Sequence, residues 1–142
     1  MTAPRLLVVA GALQREDGLW LMHRRPSGKH HGGLWEFPGG KVESTEIPVQ
    51  ALCRELAEEL GISVFPDAVA PFFFAESEAD DSQPSIVILL YKVSGWTGEP
   101  AALEGGKVDW FAAHELPSLS KPPLDCRLVD QLFGVGARDE RP

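Results

Sequence analysis

Three glutamates are spaced so that they could bind a metal ion: Glu55 is followed three and four residues later by Glu58 and Glu59. In a helix, side chains at these spacings are neighbours, and each pair of like charges costs about 0.2–0.5 kcal/mol. Arg54 is the only cation in the segment, which is too little charge to neutralise the cluster. Hard cations such as Mg²⁺ prefer oxygen ligands and would remove the repulsion. A solvated acidic surface is the alternative interpretation.

The element that carries these glutamates is predicted to be a helix from Ile47 to Leu60. Pro48 is tolerated in a first turn, and Gly61 is a typical stop signal. Apolar side chains fall on one broad arc, roughly opposite the glutamates, as expected for a helix that packs on a core. This arc consists of Val49, Leu52, Cys53, Leu56, Ala57 and Leu60.

The residues around this helix match a known signature. From Gly40 to Ile62 the chain fits the spacing G-x5-E-x7-R-E-U-x-E-E-x-G-U, in which U is aliphatic, at every fixed position. The segment therefore resembles the Nudix box, the signature of the Nudix hydrolases. The resemblance implies an α/β fold, a Nudix-type α/β/α sandwich with a mixed β-sheet, in a single domain over residues 1–133. It also implies a hydrolase that uses Mg²⁺, with Mn²⁺ as a substitute, to cleave a diphosphate linked to a nucleoside or similar group.

The similarity extends beyond the box to one branch of this family. The motifs that carry it are residues 34–43 (LWEFPGGKVE), Arg24-Arg25, Gly98-Glu99-Pro100 and Glu104-Gly105. They look like the MutT branch, which contains nucleoside triphosphate diphosphatases that clean the nucleotide pool. The resemblance implies a nucleoside triphosphate substrate, unmodified or oxidised, and the monophosphate and pyrophosphate as products.

The same resemblance assigns roles around the metal. The ligands that it implies are the Gly39 carbonyl oxygen and the carboxylates of Glu55, Glu58, Glu59 and Glu104. Glu104 lies in a loop that the family folds over the metal site, and either Glu58 or Glu104 is the general base. Arg54 is expected to orient Glu55 or Glu58 by ion pairing.

Two residues are expected to contact the nucleotide away from the metal. Arg25 matches the position that contacts substrate phosphate in the MutT branch, and a guanidinium fork suits phosphate oxygens. His30 lies in the glycine-rich loop where the branch places a nucleotide contact, whereas no role is assigned to His31. The alternative for both Arg25 and His30 is an ordinary solvated side chain.

Asp125 stands where the MutT enzyme has an asparagine that reads the base. An ionised aspartate only accepts hydrogen bonds, so it suits the exocyclic amino group of cytosine better than the O6 of 8-oxoguanine, unless burial raises its pKa enough to keep it protonated. We therefore expect CTP or modified dCTP to compete well as a substrate, with 8-oxo-dGTP as the alternative. Helix capping is the other interpretation of Asp125. Near Pro84 and Ser85 the chain also lacks the arginine that the MutT enzyme uses beside the purine.

The other elements are predicted from residue alternation and turn signals. Strands are expected at 5–13, 19–24, 34–37, 68–75, 85–93 and 108–111, loops at 26–33, 76–84 and 99–106, and a second helix at 122–133. Residues 134–142 are predicted to be a frayed tail.

Composition limits the remaining alternatives. A chain of 142 residues with 44% hydrophobic residues suits one domain, and its net charge of −8 argues against a nucleic-acid polymer as partner. Cys53 and Cys126 form no disulfide framework, and neither a signal peptide nor a membrane span is evident. We expect a cytoplasmic monomer or homodimer that acts on a small nucleotide, without a membrane partner.

Two rival functions stay open. One is hydrolysis of a nucleoside diphosphate sugar. The other is a non-catalytic, nucleotide-sensing Nudix-like module, although such modules often lose a box carboxylate and this chain retains all of them.

Overall fold

The computed structural model describes residues 5–133, so that residues 1–4 and the predicted frayed tail at 134–142 lie outside the described residues. The strands are β1 (Arg5–Leu13), β2 (Trp20–Arg24), β3 (Trp35–Glu36), β4 (Gly39–Lys41), β5 (Ser63–Val64), β6 (Val69–Ser77), β7 (Ser85–Val93), β8 (Trp96–Thr97) and β9 (Lys107–Phe111). The helices are α1 (Pro48–Leu60) and α2 (Pro123–Phe133), with short 3-10 turns at Pro66–Ala68 and Ala113–Ser118.

The strands form a mixed sheet and two smaller antiparallel sheets. The main sheet has the order β4-β1-β7-β6, in which β1 and β7 are parallel and the other pairs are antiparallel. The smaller sheets have the orders β3-β2-β9 and β5-β8. The mixture of parallel and antiparallel pairs agrees with the predicted sheet.

The core lies on both faces of these strands. One cluster packs Leu52 and Leu56 of α1 on the strands, and the other packs Leu128 of α2 on the opposite face. β1 supplies both clusters by strand alternation, with Val9 on the α1 side and Ala10 on the α2 side. The predicted α/β/α sandwich is therefore confirmed.

The buried side of α1 differs from the predicted arc. Ala57 is exposed, whereas Ala51 is fully buried. Glu55 and Glu59 are half-buried instead of lying opposite the core. The reason is a tertiary contact, because the backbone of Gly40 in β4 packs directly against the Glu55 carboxylate.

Some short elements also depart from prediction. Residues 38–40 were expected only to end the preceding strand. Instead, Gly39–Lys41 forms β4, which pairs with β1 through Val9 and Gly40. The two-residue strands β5 and β8 were not predicted, because a ladder this short leaves no periodicity in the sequence. In the part of the chain that the structure describes, neither helix has the length and hydrophobicity needed to cross a bilayer.

Candidate active site

Arg54 is the centre of the acidic cluster on α1. Its Nε and Nη2 donate to Glu46 at 2.6 and 2.9 Å, and its Nη1 donates to Glu55 at 3.2 Å and Glu58 at 3.3 Å. Nη2 also donates to the Lys41 carbonyl oxygen at 3.1 Å. The hydrogen bonds from Arg54, and then the Glu43 N–H, lower the pKa of the Glu46 carboxyl to about 2. Arg54 therefore connects the start of the box to the glutamates of the helix.

Glu55 is held between the helix and the glycine pair. Burial raises the pKa of its carboxyl, Arg54 opposes this effect, and the charges of Glu58 and Glu104 add to it. A Cβ atom on Gly40 would collide with this carboxylate. Only glycine at position 40 lets the backbone of β4 approach the carboxylate this closely.

Glu59 is the least satisfied carboxylate of the cluster. Its Oε1 is buried, and within the described residues it has no hydrogen-bond partner. Burial raises the pKa of Glu59, the charge of His23 acts against this, and Glu36, Glu55 and Glu104 reinforce it. A buried carboxylate oxygen without a partner is costly, so this geometry favours a cationic ligand or a proton.

The glutamates of the acidic cluster have the donor atoms that a hard cation prefers, although their side chains do not converge on one point. Within residues 5–133, no group of three or more His, Cys, Asp or Glu side chains is already arranged to hold a metal ion. Glu55 and Glu58 are turned towards Arg54 in this structure. The unpartnered Glu59 oxygen, the crowded carboxylates and the all-oxygen donor set nevertheless suit Mg²⁺. The predicted set, including the Gly39 carbonyl, stays a prediction.

Glu104 lies in the loop between β8 and β9, which we call the Glu104 loop (residues 98–106). Its charge acts on both Glu55 and Glu59, so the loop brings a fourth carboxylate to the cluster. Two backbone bonds attach the loop to the end of α1, from Ala101 N–H to the Leu60 carbonyl at 3.1 Å and from Leu103 N–H to the Glu59 carbonyl at 3.0 Å. This attachment agrees with a loop that lies beside the box glutamates, and the role of Glu104 stays a prediction.

His23 is a residue of this site to which the sequence analysis gave no role. It is 5% exposed, and its Nε2 lies 3.0 Å from the Gly105 carbonyl oxygen. Nδ1 lies 3.6 Å from Glu36 Oε2, which is the separation of an ion pair and too long for a hydrogen bond. Burial acts to lower the pKa of His23, but Glu36 and the Gly105 carbonyl outweigh it and raise the pKa. A histidine directly after three apolar residues of a predicted strand was the available signal.

A cleft of about 360 Å³ borders the acidic cluster. Gly39 and Gly40 both line the cleft, and Gly40 forms the wall that it shares with the cluster, while Ile86, Ile88 and Leu124 supply apolar surface. Other residues that line the cleft include Arg25, His31, Glu36, Phe37, Gln83 and Asp125. The cleft is therefore large enough for a small ligand and opens beside the carboxylates.

Arg25 lines the cleft and His30 does not, while the predicted contact of Arg25 with phosphate stays a prediction. Arg25 Nε donates to Glu36 Oε1 at 2.9 Å, and Nη1 donates to the His30 carbonyl oxygen at 3.0 Å. The exposed His30 ring lies against the His31 ring and beside the Gln83 amide. His31, to which no role was given, is the histidine that lines the cleft. The predicted contact of His30 with nucleotide stays a prediction.

Asp125 is buried at the inner end of the cleft. Its Oδ2 accepts a hydrogen bond from the Phe37 N–H at 3.0 Å, so the carboxylate bonds to a distant strand end instead of capping its own helix. Burial raises the pKa of Asp125 to about 7, and the bond from Phe37 offsets only part of this. Burial therefore favours the protonated carboxyl, the alternative to an ionised acceptor, and the reading of the base by Asp125 stays a prediction.

Comparison with known proteins identifies relatives over nearly the whole chain. Residues 4–132 match the family model described as the NUDIX domain. The chain is 34% identical over 126 residues to an 8-oxo-dGTP diphosphatase of Haemophilus influenzae, covering 89% of this chain and 90% of that protein. It is 32% identical over 133 residues to a CTP pyrophosphohydrolase of Escherichia coli, covering 94% and 96%.

Solved structures agree with these relatives. The solution structure of the ORF135 protein of Escherichia coli superposes with a TM-score of 0.81 at 31% identity, covering 99% of this chain and 96% of that one. A structure from a study of MutT from Aliivibrio salmonicida and Vibrio cholerae has a TM-score of 0.76 at 32% identity, covering 92% and 98%. The fold is therefore shared with proteins that are also similar in sequence.

Proposed function

We propose that this chain, which belongs to the Nudix hydrolase family, hydrolyses nucleoside triphosphates to the monophosphate and pyrophosphate. The substrates that we propose are 8-oxo-dGTP and CTP or modified dCTP, in a cytoplasmic role of nucleotide-pool sanitisation. The names of the similar proteins, 8-oxo-dGTP diphosphatase and CTP pyrophosphohydrolase, support both substrate types. The two free cysteines suit the reducing compartment.

The observation that carries the proposal is the wall shared by the cleft and the acidic cluster. Gly40 lines the cleft on one side and contacts the Glu55 carboxylate on the other. A nucleotide whose base lies against Ile86 and Ile88 would therefore direct its phosphates towards the glutamates. Polyphosphate and carboxylates repel each other, so a divalent cation held by the glutamates would neutralise the charge on both.

Each group then has a defined task. Mg²⁺, when bound, supplies positive charge against the polyphosphate and makes water more acidic. Glu58 or Glu104 removes the proton of the attacking water, which reacts at an internal phosphorus in line with the leaving group. Arg54 holds Glu55 and Glu58 in position, and Arg25 binds a phosphate oxygen through its guanidinium.

Asp125 completes the proposed site at the base. Its protonated carboxyl can donate a hydrogen bond to an oxygen such as O6, whereas its ionised form accepts from an amino group. With a pKa near 7, the residue can do either at neutral pH. This dual character supports activity on both an oxidised guanine and a cytosine nucleotide.

An assay that measures both pyrophosphate and nucleoside monophosphate across a nucleotide panel, with and without Mg²⁺, tests the proposal, since cleavage of a sugar nucleotide would give the monophosphate without pyrophosphate. The panel should contain dCTP, CTP, dGTP, 8-oxo-dGTP and a nucleoside diphosphate sugar. We expect metal-dependent release from the triphosphates and none from the sugar nucleotide. Preferential cleavage of the sugar nucleotide would select the rival hydrolase function, and binding of nucleotides without turnover would select the sensing module.

A further inference from the structure

The Glu104 loop is fixed on both sides of Glu104. On the preceding side, the Leu103 N–H donates to the Glu59 carbonyl oxygen at 3.0 Å, which ties the loop to α1. On the following side, His23 Nε2 lies 3.0 Å from the Gly105 carbonyl oxygen, which ties the loop to β2. Because a carbonyl oxygen can only accept, Nε2 must carry the proton and donate it. The backbone at Glu104 is thus held between two anchors.

The position of His23 in β2 explains how one side chain reaches this loop. Leu21 belongs to the core cluster on the α1 side and Met22 to the cluster on the α2 side. Strand alternation therefore points His23 towards the α1 side, where the glutamates lie. An apolar residue would be expected at this buried position. The hydrogen bond to the Gly105 carbonyl oxygen explains why a polar imidazole is found there instead.

Gly106 makes the close approach of the loop to β2 feasible. Its φ is +82°, a conformation that favours glycine. A Cβ atom there would collide with the Arg24 carbonyl oxygen and lie 3.2 Å from His23 Nε2. The loop therefore passes over His23 with no space for a side chain between them.

We infer that His23 is a positioning residue that, through its hydrogen bond to the Gly105 carbonyl, fixes the backbone that carries Glu104 beside the end of α1. The inference rests on the proposed function, in which Glu104 binds the metal or takes the proton. It assigns to His23 no contact with substrate. His23 affects the reaction only through the backbone at Gly105, the residue that follows Glu104.

The first experiment measures the anchor itself, without metal or substrate. His23→Gln keeps an N–H donor at the reach of Nε2, whereas the shorter His23→Asn does not. Hydrogen exchange at the amides of residues 104–106, relative to amides of α1, should rise about tenfold in His23→Asn and stay near wild type in His23→Gln. Equal exchange in the two variants would overturn the inference.

The second experiment measures the reaction in the same variants. For His23→Asn we expect kcat to fall about 10- to 100-fold, because a small displacement of a reacting group is costly, with KM within about twofold. His23→Gln should restore most of kcat. Met22→Val, a truncation on the opposite face of β2, controls for lost packing and should lower the melting temperature without this fall in kcat. A loss in Met22→Val as large as that in His23→Asn would contradict a specific role.

A double-mutant cycle separates this inference from the proposed function. If His23 acts through Glu104, then His23→Asn combined with Glu104→Gln should be no slower than Glu104→Gln alone. If the rate losses of the two single variants multiplied in the double variant, His23 would act independently of Glu104. Wild-type kcat in Glu104→Gln would reject the role of Glu104 and the catalytic part of this inference, while hydrogen exchange would still decide whether His23 anchors the loop.

Gly106→Ala reaches the same loop by a different route and covers the case in which His23→Asn does not fold. The added methyl group must move the loop away from Arg24, so exchange at residues 104 and 105 should rise and kcat should fall as in His23→Asn. Wild-type exchange and kcat in Gly106→Ala would contradict the proposed anchoring.

Discussion

The Phe37 N–H donates a hydrogen bond of 3.0 Å to Oδ2 of Asp125, a residue 88 positions further along the chain. This bond joins the first turn of α2 to the strand end that leads into Gly39 and Gly40. The residue proposed to read the base is therefore connected to the wall that the cleft shares with the acidic cluster. Because one carboxylate oxygen is used by Phe37, base recognition falls to the other.

Replacing Asp125 tests its role in substrate selection. Asp125→Asn retains an oxygen for the Phe37 N–H and places an amide donor towards the cleft at every pH. We expect the ratio of kcat/KM for 8-oxo-dGTP to that for dCTP to rise by about 1–3 kcal/mol, the scale of one mismatched buried polar group. Steady-state kinetics of both substrates with both proteins measures this. An unchanged ratio would mean that Asp125 only joins α2 to Phe37.

Asp125 should also give the stability of the protein a defined pH dependence. Its pKa is about 7 in the folded protein because of burial, and near 4 in the unfolded chain. The stabilisation from its proton is complete below about pH 4 and is lost as the pH rises through 7. We expect the free energy of unfolding of the wild type, relative to Asp125→Asn, to decrease by about 2–3 kcal/mol between pH 5 and pH 8. Urea unfolding of both proteins at the two pH values measures it, and parallel curves would refute the raised pKa.

The metal and base roles predict a clear loss in Glu58→Gln. The substitution keeps the shape and removes the charge, so the fold should survive while kcat falls by orders of magnitude, about 10²-fold or more. The matched control is Glu43→Gln, since Glu43 also approaches Arg54, at 4.0 Å, but has no proposed role. If Glu58→Gln kept near-normal kcat at saturating Mg²⁺, Glu58 would have neither the metal role nor the base role.

The two neighbouring glycines should respond differently to alanine. In Gly40→Ala the atoms nearest to the new methyl group belong to the Glu55 carboxylate, the far end of a flexible side chain. The melting temperature should therefore change little, while the Mg²⁺ concentration needed for half-maximal rate should rise. In Gly39→Ala it meets the Val9 carbonyl oxygen, so the pairing of β4 with β1 must shift and stability should fall. Thermal unfolding and Mg²⁺ titrations compare the two. Equal loss of stability in both variants would contradict the contact of Gly40 with Glu55.

The sequence predicted what is local. The box spacing identified α1 and its three glutamates because helix geometry relates residues only three or four positions apart. The same reasoning misplaced the buried side of α1, since the contact between Gly40 and Glu55 depends on how β4 pairs in the sheet. The alternation of side chains in strands could not correct this, because it does not predict which residues of a helix are buried.

The partners of the remaining site residues were beyond such reasoning. His23 meets Gly105, 82 positions away, and Asp125 meets Phe37, 88 positions away. Alternation marks His23 as inward-facing, but only the fold reveals which loop it meets. For the same reason the choice between His30 and His31 in the glycine-rich loop needed the backbone path of that loop.

The central claim is most directly tested by the products of a single reaction. Phosphorus NMR of the protein with dCTP, and separately with 8-oxo-dGTP, should show pyrophosphate and the nucleoside monophosphate appearing together in the presence of Mg²⁺. Neither should appear with EDTA or, on the same time scale, with Glu58→Gln. Stepwise appearance of orthophosphate and the nucleoside diphosphate, or product formation that ignores the metal, would contradict the proposed hydrolysis.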